Sequence, residues 1–500
     1  MSKGVRRLIA LCLAMLFLSA CSTVPPTTKP ETTPTTPTEP VEPVPHTVTL
    51  AYSRSDSLDP FKMTSRVNRE LGALLYEGLT ALDGAMQPQN ALAEWVKVSG
   101  QTVTARLRAD AVFSDGSAVT AADVVASFTA AKESAAYAPL LREFKEATAA
   151  EDARTVTFTL TKPDPFAAAC LTFPVVRATD GTVLGSGRYV YDPAPRLLAN
   201  PHWGEVTVPE IRLLDLVNDD ERAGGVDVGS VTCFFSDLSA GSIPRVSGGL
   251  TSVPLNYLVY LGVNSGRQAL TPSVRIALSR AIDRTRGADS VFAGYADATA
   301  TPFHPLFLQG QGVDASVDEG NKTAAMSLLV SAGFAVPDKE LMPPKGNTKT
   351  LSLNLLVCED NGFKTALATY VKDQLATVGI SVTLVPLPYD DYLVALRRGR
   401  YDLYIGEVRL AENMDLSPLL TKNGAAVFGV DVKGEAAKSY EAFLAGEQTL
   451  SEFLFAFSAD SPFIPLYWRR GLAAYNRALT NVHPTAFDVY AGLENWKLTN

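Results

Sequence analysis

The sequence predicts an α/β protein of at least two lobes that differ in character, and three observations carry that expectation. Leu351 to Gly406 reads as strand, helix, strand, helix, strand, the pattern of a parallel sheet with helical crossovers. The earlier half of the chain is instead richer in strand patterns. A chain of 500 residues, 46% hydrophobic and 19% charged, exceeds one typical domain and supplies core for two or three compact units.

The first residues read as an export signal. Lys3, Arg6 and Arg7 precede an apolar run, Leu8 to Leu18. That run is short for a bilayer span, which needs about 20 residues, and suits a signal h-region. Leu18-Ser-Ala-Cys21 follows at once and resembles the bacterial lipobox. The resemblance implies cleavage before Cys21 and lipidation of its thiol and new amino group; the alternative is an ordinary signal peptide with an incidental cysteine. Residues 1–20 are thus expected to be a lipoprotein signal peptide. Residues 21–46 are expected to be the lipidated cysteine and a Pro/Thr-rich tether, too polar and too proline-rich to bury a core.

The body begins near Thr47. Val48, Leu50 and Tyr52 alternate as in a strand, and so do Thr102 to Arg108 and Thr155 to Leu160. Thr120 with Asp123 three residues on predicts a capped helix, whose apolar face is Val124, Val125 and Phe128. Thr271-Pro272 opens another, with Val274, Ala277, Leu278, Ala281 and Ile282 at helical spacing and Asp283-Arg284 at its end. A further helix over 324–332 stops at Gly333. In the α/β block, strands are expected at 351–357, 380–384 and 401–405, and helices at 363–378 and 389–398.

The chemistry-bearing residues form no catalytic pattern. His46, His202, His304 and His483 are scattered, and no zinc, nucleophile-elbow or phosphate-loop spacing occurs. The pairs Asp219-Asp220 and Asp390-Asp391 are expected in a loop and at a helix start. Cys170, Cys233 and Cys358 are widely spaced, allow at most one disulfide, and read as buried thiols. No enzyme activity, cofactor or metal is expected. The net charge of -9 argues against nucleic acid, which needs a concentrated basic face.

Several segments, taken in order, resemble the family-5 extracellular solute-binding proteins of ABC importers, the dipeptide, oligopeptide and nickel-binding group. They are Ser57-Leu-Asp-Pro60, Leu75-Tyr-Glu-Gly-Leu79, Leu92-Ala-Glu-Trp95, Phe113-Ser-Asp-Gly116 and Val119-Thr-Ala-Ala-Asp-Val124. Gly185-Ser-Gly-Arg-Tyr189, Asn200-Pro-His-Trp203, Tyr260-Leu-Gly-Val-Asn264, Ala281-Ile-Asp-Arg284, Gly379-Ile380 and Tyr401-Asp402 continue the series. The likeness covers nearly all of Thr47 to Asn500. It implies a two-lobed periplasmic-binding-protein-like α/β fold of class II, with an extra subdomain in the first lobe. The first lobe would comprise 47–262 and 462–500 with the insertion at about 71–180, and the second 263–461. It further implies a monomeric, extracytoplasmic receptor, lipid-anchored at the membrane, that closes on a peptide or similar solute and delivers it to a permease and its ATPase. A ligand-sensing lipoprotein, or a receptor for a nickel chelate or oligosaccharide, remains an alternative.

In peptide-binding relatives an acidic residue shortly after the Tyr-Asp strand takes the ligand's amino group. Here that stretch departs from the family pattern, and Asp415 before Leu-Ser-Pro is its nearest equivalent. Arg409, Glu412, Asn413 and Asp415 therefore form the expected second-lobe cluster, at a strand end of the kind that faces a binding crevice. Arg409 is suited to grip a carboxylate bidentately; the alternative is a solvated loop. From the first lobe, Thr64, Ser65 and Arg66 are candidates. Tyr467 and Trp468, near the return strand, either stack on ligand or pack.

Overall fold

The computed structural model describes residues 47–498 apart from 180, 315–319 and 478. The signal segment, Cys21 and the Pro/Thr tether lie outside the described residues. The α/β block forms as its spacing predicts. Strands Ser352–Cys358, Ser381–Leu387 and Leu403–Arg409 are parallel neighbours, with Ser352–Cys358 in the middle. Helices Gly362–Ala376 and Tyr389–Arg397 are the crossovers. Both faces are covered. Leu353, Leu355 and Val357 join a core with helix residues Leu367, Val371 and Leu375. Leu356 and Cys358 join a second core with Tyr392 and Leu396. A strand buried on both faces is nearly continuous in apolar residues, which is how this segment reads.

Two long antiparallel strands tie this block to the rest of the chain. Gly249–Val263 pairs along its length with Phe463–Tyr475, and its second half pairs with Leu403–Arg409. On its other edge, the far end of Phe463–Tyr475 also pairs with Cys233–Ser236. The ladder slips between Pro254 and Leu258. Proline offers no N–H to a ladder and is found where pairing breaks. Leu255, Asn256 and Tyr257 thereby lose their partners on Phe463–Tyr475, while Tyr257 stays opposite Arg409 on the other side.

The earlier half holds two four-stranded sheets. Ala93–Ser99, Thr102–Leu107, Thr155–Leu160 and Phe144–Ala149 form an antiparallel sheet. Helix Ala121–Glu133 packs on it, started by the expected reciprocal cap between Thr120 and Asp123. Their shared core is a cluster of Phe128, Phe144, Phe158 and Phe173 rings. The other sheet pairs Val48–Tyr52 in parallel with Glu210–Asp215, followed by Arg196–Ala199 and Tyr189–Asp192. The Gly-x-Gly turn is a device of close approach. A Cβ on Gly185 would sit 2.1 Å from the Leu75 carbonyl oxygen, and one on Gly187 2.3 Å from the Leu75 carbonyl carbon. Only glycine lets this turn lie against the end of helix Arg66–Leu75.

Two local expectations are corrected. Asp219-Asp220 opens a helix, Asp219–Val228, capped by Asn218, and does not lie in a loop. Negative side chains in a first turn complement the helix dipole. Asp283 does not close the preceding helix. It caps the next one, Arg284–Phe292, by accepting the Arg286 N–H at 3.0 Å. The three body cysteines are free, and Cys170 and Cys358 are buried.

Asn68 fixes the entry to helix Arg66–Leu75. It is fully buried. Its Oδ1 accepts the Ser53 N–H at 2.8 Å, and its Nδ2 donates to the carbonyls of Ser53 and Ser57 at 3.0 and 3.1 Å. Asn68→Ala strips partners from several backbone groups at once. Since each buried orphan costs about 1–3 kcal/mol, a loss of about 3 kcal/mol in a urea titration is expected.

Candidate functional site

A cavity of about 610 Å³ opens beside the broken ladder. Its walls come from distant parts of the chain. Helix Arg66–Leu75 supplies Arg66 and Arg69, and the stretch after helix Ala121–Glu133 supplies Tyr137 and Arg142. The ladder break supplies Asn256 and Tyr257. The segment leaving strand Leu403–Arg409 supplies Arg409, Glu412, Asn413 and Asp415. The strand end sits where it does because Asn256 holds the chain beyond it. Its Nδ2 donates to the Leu410 carbonyl at 2.6 Å, and its carbonyl accepts the Leu410 N–H at 2.9 Å.

The expected second-lobe cluster thus lines one wall, but its members do different work. Arg409 is exposed, and no hydrogen bond or ion pair engages its guanidinium among the described residues. Glu412 is half-buried; its own N–H reaches its carboxylate, and no other side chain engages it in a hydrogen bond or ion pair among the described residues. Burial pushes its carboxyl up from the ordinary value, against the pull of Arg409. Asn413 is buried and donates from Nδ2 to Asp164 Oδ2 at 2.6 Å, joining this segment to the earlier half. Asp415 Oδ1 accepts from the Ser417 N–H and hydroxyl and from the Tyr440 hydroxyl at 2.9, 2.6 and 2.8 Å. Its ties are therefore to its own loop and to helix Glu435–Leu444, within the protein.

The first-lobe candidates divide in the same way. Arg66 lines the cavity, yet its guanidinium reaches Glu70 at 3.1 Å, Asp237 at 3.2 Å and the Phe235 carbonyl at 2.7 Å. Thr64 and Ser65 are not on the cavity wall. Both donate to Asp56, Thr64 from its hydroxyl at 2.9 Å and Ser65 from its N–H at 2.7 Å. Burial works to raise the Asp56 carboxyl, but these donors prevail and hold it well below the usual carboxylate range. Trp468 is fully buried, donates its indole N–H to the Phe303 carbonyl at 3.2 Å and lies beside the His304 ring. It packs in the core and is absent from the cavity wall. Tyr467 is likewise fully buried and lies against the Phe292 ring. Residue order alone did not point to Arg69, Tyr137, Arg142 or Tyr257. Tyr257 carried a weak signal, since it follows a proline inside a strand.

Asp164 gives the site a pH dependence. It is 7% exposed, and burial raises its carboxyl to about 6 although Asn413 and the Phe166 N–H donate to it. The folded chain therefore keeps a proton that the unfolded chain releases near 4. Stability from this group is complete below about pH 4 and is lost as pH rises to about 6. The melting temperature should respond by about 2–4 °C across that window. Asp164→Asn should flatten this part of the profile; an unchanged slope would remove the assignment.

Among the described residues no helix is long and apolar enough to cross a membrane, and no three His, Cys, Asp or Glu side chains gather as metal ligands. The sequence model for bacterial extracellular solute-binding proteins, family 5 Middle, matches residues 85–421. The glutathione-binding protein GsiB of Escherichia coli is 24% identical over 363 residues, covering 67% of this chain and 68% of that protein. Among solved structures, the unliganded open form of the periplasmic murein tripeptide-binding protein MppA superposes with a TM-score of 0.74 at 18% identity, over 90% of this chain and 97% of that one. A nickel ABC transporter structure from Bacillus halodurans gives 0.71 at 18% identity, over 90% and 99%.

Proposed function

Since the chain belongs to the bacterial extracellular solute-binding proteins of family 5, we propose that it is the receptor of an ABC importer and that its cavity captures a small peptide. Its fold is the two-lobed α/β fold of that family. The observation that carries the reading is the pairing on one wall of Arg409 with Glu412. One is a cation and the other a carboxylate, and neither is engaged by another side chain in a hydrogen bond or ion pair among the described residues. A peptide presents the complement, an ammonium at one end and a carboxylate at the other. Glu412, rather than Asp415, is the proposed acceptor of the ammonium, because Asp415 is already held by Ser417 and Tyr440.

In this proposal residues 47–262 and 462–500 form one lobe, 263–461 the other, and ligand favours the closed arrangement by touching both. Lipid on Cys21 and the Pro/Thr tether keep the receptor outside the membrane, within reach of a permease and its ATPase. The volume of about 610 Å³ fits a peptide of a few residues better than a long chain. Calorimetric titration of the purified protein tests the reading, with tripeptides, glutathione, a nickel–histidine chelate and an oligosaccharide as ligands. Saturable binding of the peptides is expected, without turnover. Binding of the chelate or the sugar with none of the peptides would reject it.

A further inference from the structure

The charged groups around the cavity are not equally open to a ligand. Six carboxylates line it against four arginines, which by number makes an acidic cavity that repels anions. The hydrogen bonds decide instead which of these groups is open to a ligand. Five of the carboxylates already have partners within the protein. Glu70 lies between Arg66 and Arg222, Asp237 accepts from Arg66 and the Ser239 N–H, and Glu143 meets Lys162 and the Thr161 hydroxyl. Asp164 accepts from Asn413, and Asp415 from Ser417 and Tyr440.

Glu412 alone is left. Among the arginines, only Arg66 is matched to carboxylates. Arg69 donates to the Thr64 carbonyl at 2.9 Å, and no carboxylate pairs with it among the described residues. Arg142 and Arg409 are exposed, with no ion pair among those residues. Three arginines that no carboxylate engages therefore share the cavity with one acid that no other side chain engages. Arg69, Tyr137 and Glu412 line the same cavity. A simple zwitterion would engage Glu412 and Arg409 and leave the donors of Arg69 and Arg142 without a carboxylate to grip.

We infer that the cavity selects a net-anionic peptide, one with at least one carboxylate beyond its C-terminus, which Arg69 and Arg142 hold while Glu412 and Arg409 take the two ends. The inference rests on the peptide-receptor reading above. The selection acts at contact range, because the net charge of -9 repels anions at longer distance. It uses arginine where arginine is strongest, in forked hydrogen bonds to carboxylates.

The test is calorimetry on the purified protein with three tripeptides of one length, Ala-Glu-Ala, Ala-Ala-Ala and Ala-Lys-Ala, at low and at high salt. The acidic peptide should bind about tenfold or more tightly than the neutral one, and the basic one most weakly, with the gap narrowing in salt. Arg142→Gln and Arg69→Gln, each checked for an unchanged melting temperature, should shrink the acidic-to-neutral gap to under about threefold. Equal affinities for the three peptides, or a preference for the lysine peptide, would overturn the selection while leaving the receptor reading intact. Failure of all three to bind would overturn the receptor reading and the selection with it.

Discussion

Gly406→Ala should destabilise the protein by about 3 kcal/mol, a large penalty for one methyl group. Strands Gly249–Val263 and Leu403–Arg409 are antiparallel, with Tyr260 opposite Gly406 and Tyr404 opposite Gly262. Each tyrosine ring lies over the glycine of the other strand. A Cβ on Gly406 would stand 2.4 Å from the Tyr260 ring, and one on Gly262 2.0 Å from the Tyr404 ring. The rings have nowhere to retreat. They meet edge to face at 5.8 Å, and Tyr260 also packs on Phe463 at 5.3 Å. Both are nearly inaccessible, and interiors packed to this density transmit strain instead of absorbing it. Urea unfolding gives the loss. In the double variant Gly406→Ala/Tyr260→Leu the penalty should be partly relieved, so that the two changes are clearly non-additive. Additive losses, or a stable Gly406→Ala protein, would show that the ring does not fill the glycine's space. The expected consequence extends to binding, because Arg409 stands three residues further along the same strand.

The Tyr-Leu-Gly-Val motif was visible in the sequence, but this reason for its glycine was not. What was legible there shares one property, that its cause is local. The cap at Thr120, the Thr271-Pro272 start and the strand–helix alternation of 351–406 each depend on residues a few positions apart. What was not legible depends on distant partners. Helix Asp219–Val228 contains two glycines and little apolar periodicity, and its Arg222 is buried against Glu70 from another helix. The helical spacing from Val274 onward ran up to Asp283 and hid the start of a second helix there, because an N-cap lies outside the repeat.

The candidate site divides along the same line. Arg409 to Asp415 could be picked out because a polar run leaves a buried parallel strand, and such strand ends open onto a crevice. Which of those side chains is committed elsewhere could not be read. Tyr440, which engages Asp415, is 25 residues away, and Asp164, which engages Asn413, is 249 away. Thr64 and Ser65 had the right chemistry and the right neighbours, but Asp56 takes up their donors. Trp468 lies in the apolar run 463–468, where no alternation marks a side that faces a ligand. Tyr137 and Arg142 sit in an irregular stretch, and only the folding of that stretch toward the ladder break brings them to the cavity.

Arg409→Ala should then cost about 100-fold in affinity for a peptide with a free C-terminus, close to 2.7 kcal/mol. The protein's own stability should hardly change. Arg409 is exposed and no partner among the described residues loses a bond, and surface changes of that kind fall within about 0.5 kcal/mol. The separation of the two effects distinguishes a binding residue from a structural one. Arg409→Lys keeps the charge but loses the planar fork, so it should recover only part of the affinity. Amidating the ligand's C-terminus removes the group that Arg409 is proposed to hold. The amidated peptide should therefore bind the wild type about as weakly as the free peptide binds Arg409→Ala, and the variant should no longer discriminate between the two. The same logic applies at the other end of the wall. Glu412→Gln and acetylation of the ligand's amino group should each weaken binding, and the second change should add little once the first is made. If the losses at either end are instead independent, the side chain and the ligand group are not partners, and the wall must be read with the ligand in another orientation.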